Sequence, residues 1–130
     1  MWDVLVAWDR HSEWMVATHM NDVVGDGASE GSELAAVTGF GPLSFTDTMR
    51  ITTWEPPRRC AVEHTGALVQ GYGVFEVVAL PNERSRVIWT EQLDLPFGAL
   101  GRLGWPVARV AAKAGLAYSL RRLARVAERG

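Results

Sequence analysis

The sequence predicts an α+β domain: an opening helix, a five-stranded antiparallel meander and a long C-terminal helix. Three observations carry this. Alternating segments rich in Thr, Val, Ile and Phe follow one another between about residues 33 and 95. Only short turn-forming stretches separate them, and short connections join neighbouring strands antiparallel, because a parallel pair needs a long crossover. From Pro106 onward, apolar residues recur at helical spacing instead. At 130 residues the chain forms one domain, 1–130, long enough to bury an ordinary core.

The elements follow in order. MWDVLVAWDRHSEWM reads as a helix, with Trp2, Leu5, Trp14 and Met15 apolar and Asp3, Asp9, Arg10 and Glu13 between them. NDVVGDGASEGSE, with Gly25, Gly27 and Gly31, reads as a loop. ELAAVTGF and LSFTDTMRITTW are two strands joined at Gly41-Pro42, and EPPRR ends the second because proline cannot donate to a ladder. RCAVEHTG is the third. VQGYGVFEVVALP is the fourth, with Gly71 and Gly73 marking a bend or a close approach. RSRVIWTEQLDL, ending at Leu95, is the fifth. GALGRLGWP is a flexible connection, and a helix runs over about 106–128, with Pro106 in its first turn. Its stripe of Val107, Val110, Ala111, Ala114, Ala117, Leu120 and Leu123 is mostly small, which suits close packing on a sheet, and Gly115 weakens it by about 1 kcal/mol relative to Ala.

Composition excludes several classes. Hydrophobic residues make up 48% and charged residues 22%, as in ordinary globular domains. The apolar runs are too short to span a bilayer and no signal-peptide pattern is present, so the default location is the cytoplasm. Cys60 is the lone cysteine and reads as a small buried strand residue. His11 and His19 have no matching acidic partners, so no metal is expected, and no phosphate or dinucleotide fingerprint implies a cofactor. Residues 102–130 carry 7 basic and 1 acidic side chains, against 6 and 14 before them. Such a helix suits a solvated face or, alternatively, a membrane surface. It lacks the interleaved aromatics of a nucleic-acid reader.

Trp2-Asp3-Val4-Leu5, Trp14-Met15, Gly31-Ser32, ITTWEPPRR (Ile51 to Arg59), VFEV (Val74 to Val77), RSRVIWTEQLDL and the final SLRRLARVAE stand in an order and spacing that resembles the START-like superfamily, in its polyketide cyclase/dehydrase (SRPBCC) branch. The resemblance implies the helix-grip fold, a curved antiparallel sheet wrapped around a long C-terminal helix. It implies no single activity, since such proteins include lipid carriers, hormone receptors, cyclases and quinone binders. Relatives usually carry one more strand before the segment matching Trp2–Leu5. Its absence here implies an open sheet edge near the last strand, with a widened cleft or a homodimer covering it.

Side chains alternate faces along a strand. Aligning the apolar sets inward groups Phe45, Asp47, Met49 and Ile51; Cys60, Val62 and His64; Gly71, Gly73, Phe75 and Val77; and Val87, Trp89, Glu91 and Leu93. Asp47, His64 and Glu91 are thereby the polar groups of an apolar cavity and the acid/base candidates. Trp14, Met49, Gly71, Gly73, Phe75 and Trp89 are its expected lining. The leading expectation is a binder of a small hydrophobic molecule (lipid, quinone or polyketide-like ring). The alternative is a cyclase or dehydratase using the three polar residues.

Overall fold

The computed structural model describes residues 1–40, 42–67, 69–94 and 98–129. In chain order these form α1 (Trp2–Leu5), a 3-10 segment (Trp8–Glu13), β1 (Thr18–Val24), β2 (Glu33–Phe40), β3 (Leu43–Glu55), β4 (Arg59–Thr65), β5 (Gln70–Leu80), β6 (Arg84–Asp94) and α2 (Gly98–Arg129). The strands make one antiparallel sheet in sequential order, β1 to β6. The architecture is α+β and compatible with a helix grip: a meander whose inner face carries the C-terminal helix. Gly41 of the expected first turn and Leu95 at the expected end of the last strand lie outside the described residues.

The N-terminus departs from expectation. The single opening helix is instead one short α-turn, a 3-10 segment and the strand β1, so the meander has six strands, not five. The buried residues of the opening are Trp2, Leu5, Trp8, His11 and Trp14. They recur every third residue, the 3.0 period of a 3-10 helix and not the 3.6 of an α-helix. β1 pairs with β2 from Thr18↔Thr38 to Val24↔Glu33, with a register irregularity between Met20 and Asp22. This bulge breaks the alternation that marks a strand.

α2 also differs. It begins at Gly98, so the stretch expected to be flexible is helical and Pro106 lies inside the helix. Helix propensity is overridden by context here, although an interior proline costs about 3 kcal/mol and each glycine about 1 kcal/mol relative to Ala. Of the expected apolar stripe, Ala117, Leu120 and Leu123 are partly or fully buried while Val110, Ala111 and Ala114 are exposed, and the Val107 side chain lies outside the described residues. Leu123 is fully buried in a cluster with Leu5 and Trp14, against which Leu120 and Val126 of α2 and Phe75, Val77, Val87 and Trp89 of β5 and β6 all pack. A fully buried leucine contributes about 1.5–3 kcal/mol. The Ser119 hydroxyl oxygen accepts the Val16 N–H at 2.9 Å, and Arg122 Nη2 donates to the Glu13 carbonyl at 2.8 Å. These bonds pin the helix to the segment preceding β1. Ahead of them, residues 110–114 are exposed, with Val110 at 69%. The small side chains there do not bring the helix onto the sheet; they roof a space.

Gly115 lies on this roof, and a Cβ there would meet only the Val16 Cγ1 atom at 3.8 Å. Gly115→Ala therefore restores helix propensity without a clash and is expected to stabilise the fold by about 0.5–1 kcal/mol, read as a higher urea midpoint at unchanged slope.

A second core cluster of Trp2, Trp8, Leu34, Ile51 and Cys60 fills the sheet's inner face nearer β2–β4. Phe75 and Val77 touch both clusters. Cys60 is a free, buried thiol, pushed up to about 12 by burial. β6 and β1 are the outer strands of the sheet. Among the described residues no helix is long and apolar enough to cross a membrane.

Candidate functional site: a cavity under the C-terminal helix

Between the inner face of the sheet and the middle of α2 lies a cavity of about 810 Å³. Leu34, Ala36 and Thr38 of β2, Met49 of β3, Cys60 and Val62 of β4, Phe75 of β5, and Trp89 and Leu93 of β6 form its floor. Trp8, His11 and Met15 close one side. Ala111, Ala112, Lys113, Gly115, Leu116 and Ser119 of α2 close the top. A volume of this size, largely apolar with few polar groups, is that of a small-molecule site. A second hollow of about 840 Å³ lies where Met1–Asp3 meet the β3–β4 and β5–β6 turns, among charged side chains of both signs.

Three polar residues of the inner cavity, Asp47, His64 and Glu91, form one hydrogen-bonded cluster. His64 is 5% exposed. Its Nδ1 lies 2.8 Å from Asp47 Oδ1, and its Nε2 lies 2.9 Å from Glu91 Oε2. The other Glu91 oxygen, Oε1, accepts the Trp89 indole N–H at 2.9 Å. Strand register explains how three strands converge. On β3, Asp47 lies two residues from Met49, on the same face, and Met49 pairs with His64 of β4. His64 pairs with Gly71 of β5, and the next residue on that face, Gly73, pairs with Glu91 of β6. β4 and β6 are not neighbours; β5 runs between them, and two sheet spacings amount to roughly 9.6 Å. A side chain can bridge that gap only if β5 presents nothing in the way. A Cβ at Gly73 would stand 2.8 Å from Glu91 Oε1 and 2.9 Å from Oε2, so the absent side chain is the channel through which Glu91 reaches His64.

Burial opposes a charge on His64, but the hydrogen bonds to Asp47 and Glu91 and their negative charge outweigh it. The imidazole is raised from 6.5 to about 9. At neutral pH it is a cation held by two carboxylates, an arrangement that fixes its ring plane. His11 behaves in the opposite way. Buried between Trp8 and Trp14, with ring centroids at 5.0 and 4.9 Å, it has no carboxylate on its ring. Burial lowers it to about 4, so it is neutral at pH 7 and its Nε2–H donates to the Leu5 carbonyl at 2.8 Å.

Of the residues picked from the alternation, Asp47, His64 and Glu91 come together as hydrogen-bonded neighbours. Met49, Gly73, Phe75 and Trp89 line the same cavity. Two do not. Trp14 is wholly buried behind the lining, against Leu5 and Leu123, with ring contacts to Phe75 and Trp89 at 6.1 and 6.0 Å. Its indole N–H has no partner among the described residues. Gly71 is not among the lining residues; its place is a close approach to the β6 backbone at Gln92 and Leu93. Trp8, His11 and Met15 were missed as lining, and the signal available for Trp8 and His11 was the three-residue spacing of buried aromatic positions. Trp8 is oriented by its indole N–H, which donates to the Gly27 carbonyl at 2.8 Å.

No family model matches the chain, and no curated protein is similar to it at a significant level.

Proposed function

We propose that the protein binds a small hydrophobic molecule, of lipid, quinone or polyketide-ring character, in the cavity between the sheet and α2. The observation that carries this reading is a cavity of about 810 Å³ lined mainly by Met, Leu, Val, Ala and aromatic side chains, with the Asp47–His64–Glu91 cluster on its sheet side. Apolar walls supply affinity through surface removed from water, and the cluster orients the ligand. The meander with its C-terminal helix, together with the sequence resemblance, supports placement in the START-like superfamily, polyketide cyclase/dehydrase branch.

The test is a fluorescence titration with the neutral apolar dye N-phenylnaphthylamine. The wild type is expected to bind it saturably at one site per chain. Gly115→Phe, placed where a side chain has room to enter the cavity, is expected to weaken binding by about tenfold or more while the urea midpoint is maintained. Equal binding by both proteins would place the dye elsewhere and contradict the reading.

One observation favours a second reading: an imidazolium flanked by two carboxylates in a sheltered pocket. In a β-hydroxy carbonyl ligand, a carboxylate of the cluster would take the α-proton. His64 would give its proton to the departing hydroxyl, forming the C=C bond and releasing water. Both ring nitrogens are already engaged, so His64 would first have to release one carboxylate. For that reason binding is the better-supported function. Glu91→Gln separates the two: a dehydratase loses turnover with binding kept, whereas a carrier shows no turnover in either protein.

A further inference from the structure

The charge of the polar cluster limits what the cavity can accept. Each His64 nitrogen faces a carboxylate oxygen at hydrogen-bond distance, 2.8 Å to Asp47 and 2.9 Å to Glu91, so each contact must contain a proton. Two carboxylates and a ring holding two protons sum to one net negative charge. Moving either proton from nitrogen to oxygen leaves the sum unchanged. The result therefore rests on geometry and not on where the proton sits.

The other titratable groups lining the cavity make no ion pair with that cluster among the described residues. Among the described residues, Asp47 and Glu91 form ion pairs with His64 alone. Lys113 reaches the lining from the exposed stretch of α2 and pairs with neither. His11, on the opposite side, has its Nε2–H committed to the Leu5 carbonyl. Acceptor capacity is also unevenly used. Both Glu91 oxygens are engaged, one by His64 and one by Trp89, while Asp47 Oδ2 takes no hydrogen bond among the described residues. The free acceptor is thus on Asp47, and the side chains of Trp8, Phe75 and Trp89 line the same cavity. A carboxylate acceptor with aromatic walls is the combination that holds an organic ammonium, by charge-assisted hydrogen bonding and by attraction to ring faces.

We propose that the ligand of this cavity is an apolar molecule carrying a protonated amine, whose N–H groups are received by Asp47. This rests on the hydrophobic-ligand reading above and specifies its polar end. A carboxylate or phosphate head is disfavoured at this cluster, where the His64 cation is already engaged on both sides and Lys113 lies on the opposite, helical wall.

Isothermal titration of the full chain with three probes of one shape and different heads tests this: naphthylethylammonium, naphthylethanol and naphthylacetate. The ammonium is expected to bind about tenfold or more tightly than the alcohol, and the alcohol more tightly than the acetate. Asp47→Asn removes the charge and is expected to bring the ammonium-to-alcohol ratio to within about twofold. Should that variant not fold, the wild-type ranking decides alone. Equal affinity for all three, or tighter binding of naphthylacetate, overturns the charge inference and leaves the cavity reading standing. Binding of none of the three overturns both.

Discussion

Gly71→Ala is expected to destabilise the protein by about 3 kcal/mol or more, enough to remove much of the stability of a domain this size. The cause is local and steric. Gly71 has φ +120°, a backbone conformation that side-chain-bearing residues rarely adopt. A Cβ there would also stand 1.9 Å from the Gln92 carbonyl oxygen and 3.1 Å from the Leu93 Cα. Those atoms belong to the backbone of β6, so relief requires β5 and β6 to separate where they carry Phe75, Trp89 and Glu91. The loss should appear as a lower urea midpoint and as weaker dye binding. An alanine variant with the wild-type midpoint would show that the β5–β6 pairing is not as described.

His64→Ala is the second large effect. It leaves the Asp47 and Glu91 carboxylates on one cavity wall without the cation between them. Removing one partner of a buried ion pair costs about 3–5 kcal/mol. Because the Asp47 and Glu91 side chains remain 16% and 21% exposed, about 2–4 kcal/mol is expected at pH 7. The pH dependence identifies the cause. In the folded protein His64 titrates near 9, above the ordinary value of 6.5 it takes when unfolded. Between these values the folded state holds the extra proton, so its contribution is complete below about pH 6.5 and is lost as pH rises through about 9. The slope is at most about 1.4 kcal/mol per pH unit. His11 gives the opposite limb. Lowered to about 4 by burial, it contributes stability that is lost as pH falls from 6.5 through 4. Urea midpoints across pH should therefore peak near 6.5 in the wild type. The fall between about pH 6.5 and 9 should vanish in His64→Ala, leaving only the loss above about pH 9 that the buried Cys60 thiol causes; if the fall from 6.5 to 9 persists, another group is responsible.

The sheet was legible in the sequence from β2 to β6 because each of those strands has one apolar face and one polar face. The same alternation put Asp47, His64 and Glu91 on the inner side. It could not show that they touch, since contact depends on the register of three strands. The pair Gly71 and Gly73 pointed toward a close approach, yet only the pairing of Gly73 with Glu91 reveals that the approaching group is a carboxylate from β6. β1 was hidden by its irregularity at Asn21, where pairing passes from Met20 to Asp22, and by the glycine-rich loop after it. The opening stretch carried its true period at residues 2, 5, 8, 11 and 14, but as a helix it was read with the more common spacing. Trp14 illustrates a limit of another kind. Periodicity marks it as inward-facing, while the packing of Leu123 from the far end of the chain decides that it lies in the core behind the cavity and not on its surface.

The central claim is that a hydrophobic ligand enters the space beneath α2. Methyl NMR of the methionines tests this most directly, because the chain has four: Met15, Met20 and Met49 line the cavity, and Met1 lines the outer hollow. With saturating N-phenylnaphthylamine, the methyl signals of Met15, Met20 and Met49 should shift together and that of Met1 should stay in place. Movement of Met1 alone, or of no methionine while the dye binds, would contradict the account.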